Sequence, residues 1–187
     1  MLNEKESQSP KEIKMRYLGY VAIVTLLCCV TTSCDKKSTR PAPDIVYLTS
    51  FESAQDTTGW QGITDKMFVC DPAPGAGIRS LHIGGGCIQP AAYIDLPPQT
   101  GPGNYVVSCW GKVPQVIQPG RIVLQIAQEG GEGREIQLRV DSENWTFYES
   151  KESLRCSEDC TLRLQVWIGG FEPAHMFVDC IKIEKVK

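Results

Sequence analysis

The sequence predicts an all-β domain, an antiparallel β-sandwich or barrel, behind a helical signal segment and a flexible tether. Three observations carry this. No helical period of useful length occurs beyond residue 44. Short apolar or alternating runs recur at a spacing of roughly 10–15 residues instead. Turn signals rich in Gly, Pro, Asn and Asp separate nearly all of them.

The elements follow in chain order. Residues 1–16 are polar and place Lys11, Lys14 and Arg16 just before an apolar run. That run, YLGYVAIVTLLCCV at 17–30, is fourteen residues long. It suits the core of a signal peptide, whereas a spanning helix needs about 20 residues. Thr31-Thr32-Ser33-Cys34 comes next, then charge at Asp35-Lys36-Lys37. Small residues before a Cys at the end of such a run resemble a bacterial lipoprotein signal, with 1–33 the signal peptide. The resemblance implies that Cys34 becomes the lipidated first residue of the mature chain. It also implies a membrane partner reached through the lipid, in the bacterial cell envelope; the outer membrane or cell surface is expected ahead of the inner membrane, while Asp35 directly after Cys34 favours inner-membrane retention in some bacteria. An uncleaved anchor and plain secretion are the competing readings. Cys28 and Cys29 are poorer lipidation sites because bulky Leu26 and Leu27 precede them. Residues 34–44 are polar and Pro-containing and read as the tether. The domain spans 45–187, long enough to bury a core.

Composition narrows the class. Of 187 residues, 42% are hydrophobic and 22% charged, which argues against disorder. The net charge of −3 excludes nucleic-acid binding through a broad basic surface. Nine cysteines suit an oxidising compartment.

Ten strands are expected, at 45–51, 66–70, 80–83, 91–96, 104–112, 121–128, 134–140, 146–149, 161–168 and 176–185. Four alternate cleanly. In 104–112, Tyr105, Val107 and Cys109 alternate with Val106, Ser108 and Trp110. In 121–128, Ile122, Leu124 and Ile126 alternate with Val123, Gln125 and Ala127. In 134–140, Ile136, Leu138 and Val140 alternate with Glu135, Gln137 and Arg139. In 161–168, Leu162, Leu164, Val166 and Ile168 alternate with Arg163, Gln165 and Trp167. The first set of each strand is a core wall and the second faces outward.

The order of Phe51-Glu52, Gly59-Trp60, Gly77-Ile78-Arg79-Ser80-Leu81, Gly103-Asn104-Tyr105, Asn144-Trp145 and Phe177-Val178-Asp179-Cys180-Ile181 carries a further resemblance. It is similar to the galactose-binding-domain-like jelly roll used by many carbohydrate-binding modules, over essentially all of 45–187. The resemblance implies that Glu52 and Asp179 bind a structural calcium ion, helped by the carbonyl of Arg79. Carboxylate and carbonyl oxygens are what a hard cation takes. Cys180 stands where the family often has a second Asp. Solvated or Lys-paired acids are the alternative reading. Trp60 and Trp145 fit positions where this fold buries a Trp.

Trp110 and Trp167 lie on the outward parity of their strands. If those strands share a sheet, the two indoles flank Gln125, Gln165 and Arg139 and form a glycan-binding face. Aromatic rings stack on sugar C–H faces, while Gln and Arg supply donors and acceptors. Alternatively, both indoles fill the sandwich edge. Tyr93 and Tyr148 carry no assignment.

Six cysteines remain in the domain, with fifteen possible pairings. Cys156 and Cys160 flank a short turn, where a disulfide closes easily. Cys70 with Cys87 and Cys109 with Cys180 are weaker pairings, the last because the resembled fold places those strands side by side. His82 and His175 stand apart in sequence, so zinc is not expected. No Gly-x-Ser-x-Gly elbow, Walker loop or paired glycanase acids occur, so no catalysis is expected. The function expected is a non-catalytic, lipid-anchored envelope protein that binds an oligo- or polysaccharide. The alternative is an envelope protein-interaction or structural module without a sugar site.

Overall fold

The computed structural model describes residues 44–85, 92–97, 101–115, 118–127, 133–157, 160–169 and 174–186. Cys34, the signal segment and most of the tether lie outside these residues, as does Cys87.

Eleven strands and two short 3-10 turns are present among the described residues. Seven strands form one antiparallel sheet: β1 (Asp44–Thr49), β2 (Phe68–Val69), β3 (Ser80–Gly84), β5 (Gly103–Lys112), β8 (Thr146–Glu149), β9 (Leu154–Cys156) and β11 (His175–Val186). Four form the second: β4 (Ala92–Asp95), β6 (Gly120–Ala127), β7 (Glu135–Val140) and β10 (Thr161–Ile168). The result is the two-layer sandwich the alternation predicts. The strand expected at 66–70 shortens to β2 because a 3-10 turn takes Asp65–Met67. The three-residue β9 was not expected, since three residues give alternation nothing to repeat.

Core and surface follow strand parity. Leu162, Leu164, Val166 and Ile168 of β10 are buried, as are Ile122 and Leu124 of β6 and Leu138 and Val140 of β7. They meet Tyr105, Val107 and Cys109 of β5 and Met176, Val178, Ile181 and Ile183 of β11 in one core. Fully burying a side chain such as Leu124 contributes about 1.5–3 kcal/mol.

In β11 the buried positions switch from even to odd numbers. The register explains it: Asp179 pairs with Trp110 and Lys182 with Ser108, so β11 carries one extra residue there. This is a β-bulge. Cys180 sits in it with φ 47°, a left-handed conformation rare for a side-chain-bearing residue. The bulge overturns the expected Cys109–Cys180 disulfide. Cys109 points into the core, while the extra residue rotates Cys180 away from it, and both are free. Burial pushes the Cys109 thiol up to about 12. Burial and the neighbouring Asp179 charge push the Cys180 thiol up to about 11. Neither forms the reactive thiolate at neutral pH. Cys156 and Cys160 are joined (S–S 2.08 Å) across their turn. Cys70 is exposed and free.

The sheets approach closely at Gly111 of β5, where a Cβ would come within 2.8 Å of Val140 Cγ1 of β7. Val has no flexible end to move aside. We expect Gly111→Ala to destabilise the domain by about 1–3 kcal/mol in urea unfolding. The Gly111→Ala, Val140→Ala pair should cost less than the sum of its single changes. Additive costs would show that the two strands do not touch here.

Candidate functional site

The four-stranded sheet presents a regular grid of outward side chains. Register places Asp95, Arg163, Gln125 and Glu135 in one row across β4, β10, β6 and β7. Tyr93, Gln165, Val123 and Gln137 form the second row. Trp167, Arg121 and Arg139 form the third. These residues face outward because their neighbours on each strand fill the core.

The second row is a floor. Gln165 is only 7% exposed and Val123 only 4%, although neither faces the core. The side chains around them cover them. Arg163 makes a two-pronged pair with Asp95, Nε to Oδ1 at 2.6 Å and Nη2 to Oδ2 at 2.8 Å. Its guanidinium also lies 4.9 Å from the Tyr93 ring centroid. Trp167 donates from Nε1 to Gln165 Oε1 at 2.7 Å, and Arg121 lies 5.4 Å from the Trp167 ring centroid. Gln137 donates to Glu135. Arg139 pairs with Asp141 at 3.0 Å.

Four of the five expected glycan residues, Trp167, Gln125, Gln165 and Arg139, therefore share this face. Trp110 does not. It belongs to β5 in the other sheet, outward from the opposite side of the sandwich, and packs edge-on against Phe147 at 5.7 Å. The expectation that both indoles flank one floor is corrected. Outward parity is a property of each strand, and which sheet a strand joins is a long-range property. Tyr93, Arg121 and Arg163 complete the face. Arg121 was missed, although it shares parity with Val123 and Gln125 on β6.

Beyond β7 the face runs into a groove of about 520 Å3 whose polar lining is Gln137, Arg139, Tyr148, Ser150 and Lys151 together with three carboxylates, Glu135, Glu149 and Glu152. Tyr148 anchors the β7–β8 turn, its hydroxyl oxygen accepting the N–H of Asp141 at 3.2 Å and of Ser142 at 3.0 Å.

The outer face of the seven-stranded sheet is organised differently. Lys112 pairs with Asp71 at 2.6 Å, and its ammonium lies 4.9 Å from the Trp145 ring centroid and 5.1 Å from that of Phe177. The Lys112 hydrogen bond holds the Asp71 carboxyl below the usual range. Trp145 donates to Asp71 at 3.3 Å and is half-buried, whereas Trp60 is buried and donates to the Tyr47 hydroxyl at 2.7 Å. His82 and His175, distant in sequence, are 3.0 Å apart through Nε2 and Nδ1, because β3 and β11 are neighbours. Among the described residues, no group of three or more His, Cys, Asp or Glu could hold a metal ion.

Glu52 follows β1 and Asp179 lies in β11, so first- and last-strand pairing brings the two acids together. Both Glu52 oxygens lie 3.0 Å from the N–H of Ile78, and Oε1 also accepts that of Arg79 at 3.0 Å. Asp179 is fully buried and accepts the N–H of Ala73 at 3.0 Å and of Cys180 at 2.7 Å. Burial raises the Asp179 carboxyl above the usual range; its two backbone donors oppose this and the Glu52 charge adds to it.

No protein-family model matches the chain, and no curated protein does. Solved structures do. The CBM22-1 xylan-binding domain of Paenibacillus barcinonensis Xyn10C matches with TM-score 0.54 and 18% identity, over 78% of this chain and 97% of that one. A CBM22 xylan-binding domain, formerly x6b, matches with TM-score 0.54 and 16% identity, over 78% and 97%. The CBM22-1–GH10 modules of Clostridium thermocellum xylanase 10B, solved with xylohexaose, match with TM-score 0.54 and 15% identity. That match covers 77% of this chain and only 29% of the two-module protein. At these identities the likeness is one of fold, and the fold is the β-sandwich of carbohydrate-binding modules.

Proposed function

We propose that the chain is a non-catalytic, lipid-anchored envelope protein that binds a polysaccharide across its four-stranded sheet. One observation carries this reading: Tyr93, Trp167, Arg163 and Arg121 stand together on one outward face, over the buried Gln165 and Val123. A sugar ring would stack on Tyr93 or Trp167, on the ring face not taken by an arginine. Gln125 and Gln137 offer donors and acceptors to hydroxyls, while the covered Gln165 holds the Trp167 indole in place. The groove past β7 gives a polymer room to continue. The similar structures described as xylan-binding support a glycan as ligand.

The protein-interaction reading retains one supporting observation. Phe147 (48% exposed) packs against the half-buried Trp110 on the outer face of the seven-stranded sheet. An exposed apolar pair of this kind suits a protein partner.

A glycan array separates the two. The wild-type chain should bind at least one plant or bacterial polysaccharide, and Trp167→Ala should weaken it about tenfold or more. Trp110→Ala, on the opposite sheet, should leave binding unchanged. No binding by folded protein, or equal losses in both variants, would overturn the reading.

Calcium belongs to the same proposal: Glu52, Asp179 and the Arg79 carbonyl would hold it, adding charge balance to a corner already tied by backbone N–H groups. The raised Asp179 pKa destabilises the metal-free fold once the group ionises. Metal-free stability should therefore fall as pH rises through that raised value, and calcium should restore it there. Calorimetry with calcium and with chelator checks this, and identical melting temperatures at neutral pH would remove calcium from the account.

The anchor is tested separately. Radiolabelled palmitate should enter the wild-type chain and not Cys34→Ser, and label in the variant would refute lipidation at Cys34.

A further inference from the structure

The third row of the face carries a charge problem that a neutral sugar does not solve. Arg121 and Arg139 are direct register partners across β6 and β7, on the same exposed face. Like charges directly opposite destabilise a strand pair. Arg139 has Asp141 at 3.0 Å, but both side chains are largely exposed, at 69% and 47%, so that pair offsets little. Arg121 has the Trp167 ring and, among the described residues, no carboxylate partner. The other acids near Arg139 are Glu149 and Glu152, across the groove on the far side from Arg121, while Asp95 and Glu135 are in the first row, four residues along the strands and about 13 Å away. Arg163 and Gln137 hold them there.

The third row thus sets two guanidinium groups and an indole side by side, with Arg121 unmatched by any acid among the described residues, on a chain whose net charge is −3. A guanidinium is a planar fork of donors that matches a carboxylate or sulfate oxygen pair. We infer that the Trp167–Arg121–Arg139 row is an anion subsite, and that the ligand is an acidic polysaccharide bearing uronic carboxylates or sulfate esters. The inference rests on the glycan reading above and sharpens it. The indole takes the sugar face, and the two arginines take its charged substituent. The repulsion between Arg121 and Arg139, unfavourable in the free protein, becomes attraction for the ligand.

Isothermal titration of the full chain in detergent tests this with two matched probe pairs. One is polygalacturonate with its carboxyl-reduced product; the other is a sulfated galactan with its desulfated product. One charged polymer should bind about tenfold or more tightly than its neutral counterpart, and which one does so identifies the anion. Arg121→Gln with Arg139→Gln should abolish the preference while circular dichroism stays unchanged. Arg155→Gln, an exposed arginine on β9 of the other sheet, should retain it. Equal binding of charged and neutral polymers, or an equal loss in Arg155→Gln, would overturn the anion subsite. Binding of neutral glycans that depends on Trp167, without preference for charge, would overturn this inference and leave the glycan reading standing. No binding to any polymer would overturn both.

Discussion

The inward row of β10 governs the molecule. Leu162, Leu164, Val166 and Ile168 are buried between the sheets, and the pleat then leaves Arg163, Gln165 and Trp167 no side but the outer one. A slip of one residue would put a guanidinium in the core and four aliphatic chains in water, so register here is strongly determined. The same rule on β6 and β7 aligns their outward residues with those of β10. The grid on the four-stranded sheet is the solvent side of a packing solution. Its backbone spacing is set by the core beneath it, and a fixed backbone is what a binding face requires.

That fixed backbone makes the charge pattern informative. Flexible surface charges can drift toward any partner, but strand register holds Arg121 beside Arg139 and keeps Asp95 and Glu135 in a separate row. On the opposite face Lys112 is bound to Asp71 and flanked by Trp145 and Phe177, so its charge is satisfied internally. The two sides of the sandwich differ in that respect, since Arg121 has no acid among the described residues.

The bulge in β11 shows how one extra residue redistributes chemistry. It turns Cys180 away from Cys109, and it accompanies a buried Asp179 whose carboxylate relies on the N–H groups of Ala73 and Cys180. The first and last strands close against each other here, and Glu52 ties the segment before β3 by accepting backbone N–H groups from Ile78 and Arg79. This corner is stabilised by backbone dipoles, with two acids held close together at a cost that burial increases.

The sequence by itself determined the β class, nine strands close to their observed positions and the short β2 within its expected segment. It also determined which residues of the four clean strands face outward and the Cys156–Cys160 turn. These are local properties, since a period of two and a five-residue turn are readable within one segment. Only the tertiary structure decided that β5 and β10 lie in different sheets, which separated Trp110 from Trp167 and supplied Tyr93 and Arg121 in its place. Only it decided that His82 meets His175 and that Cys109 and Cys180 stay free. Each of these depends on strand pairing over tens of residues or on a single bulge. Alternation records which way a side chain points and carries no information about which strand lies beside it.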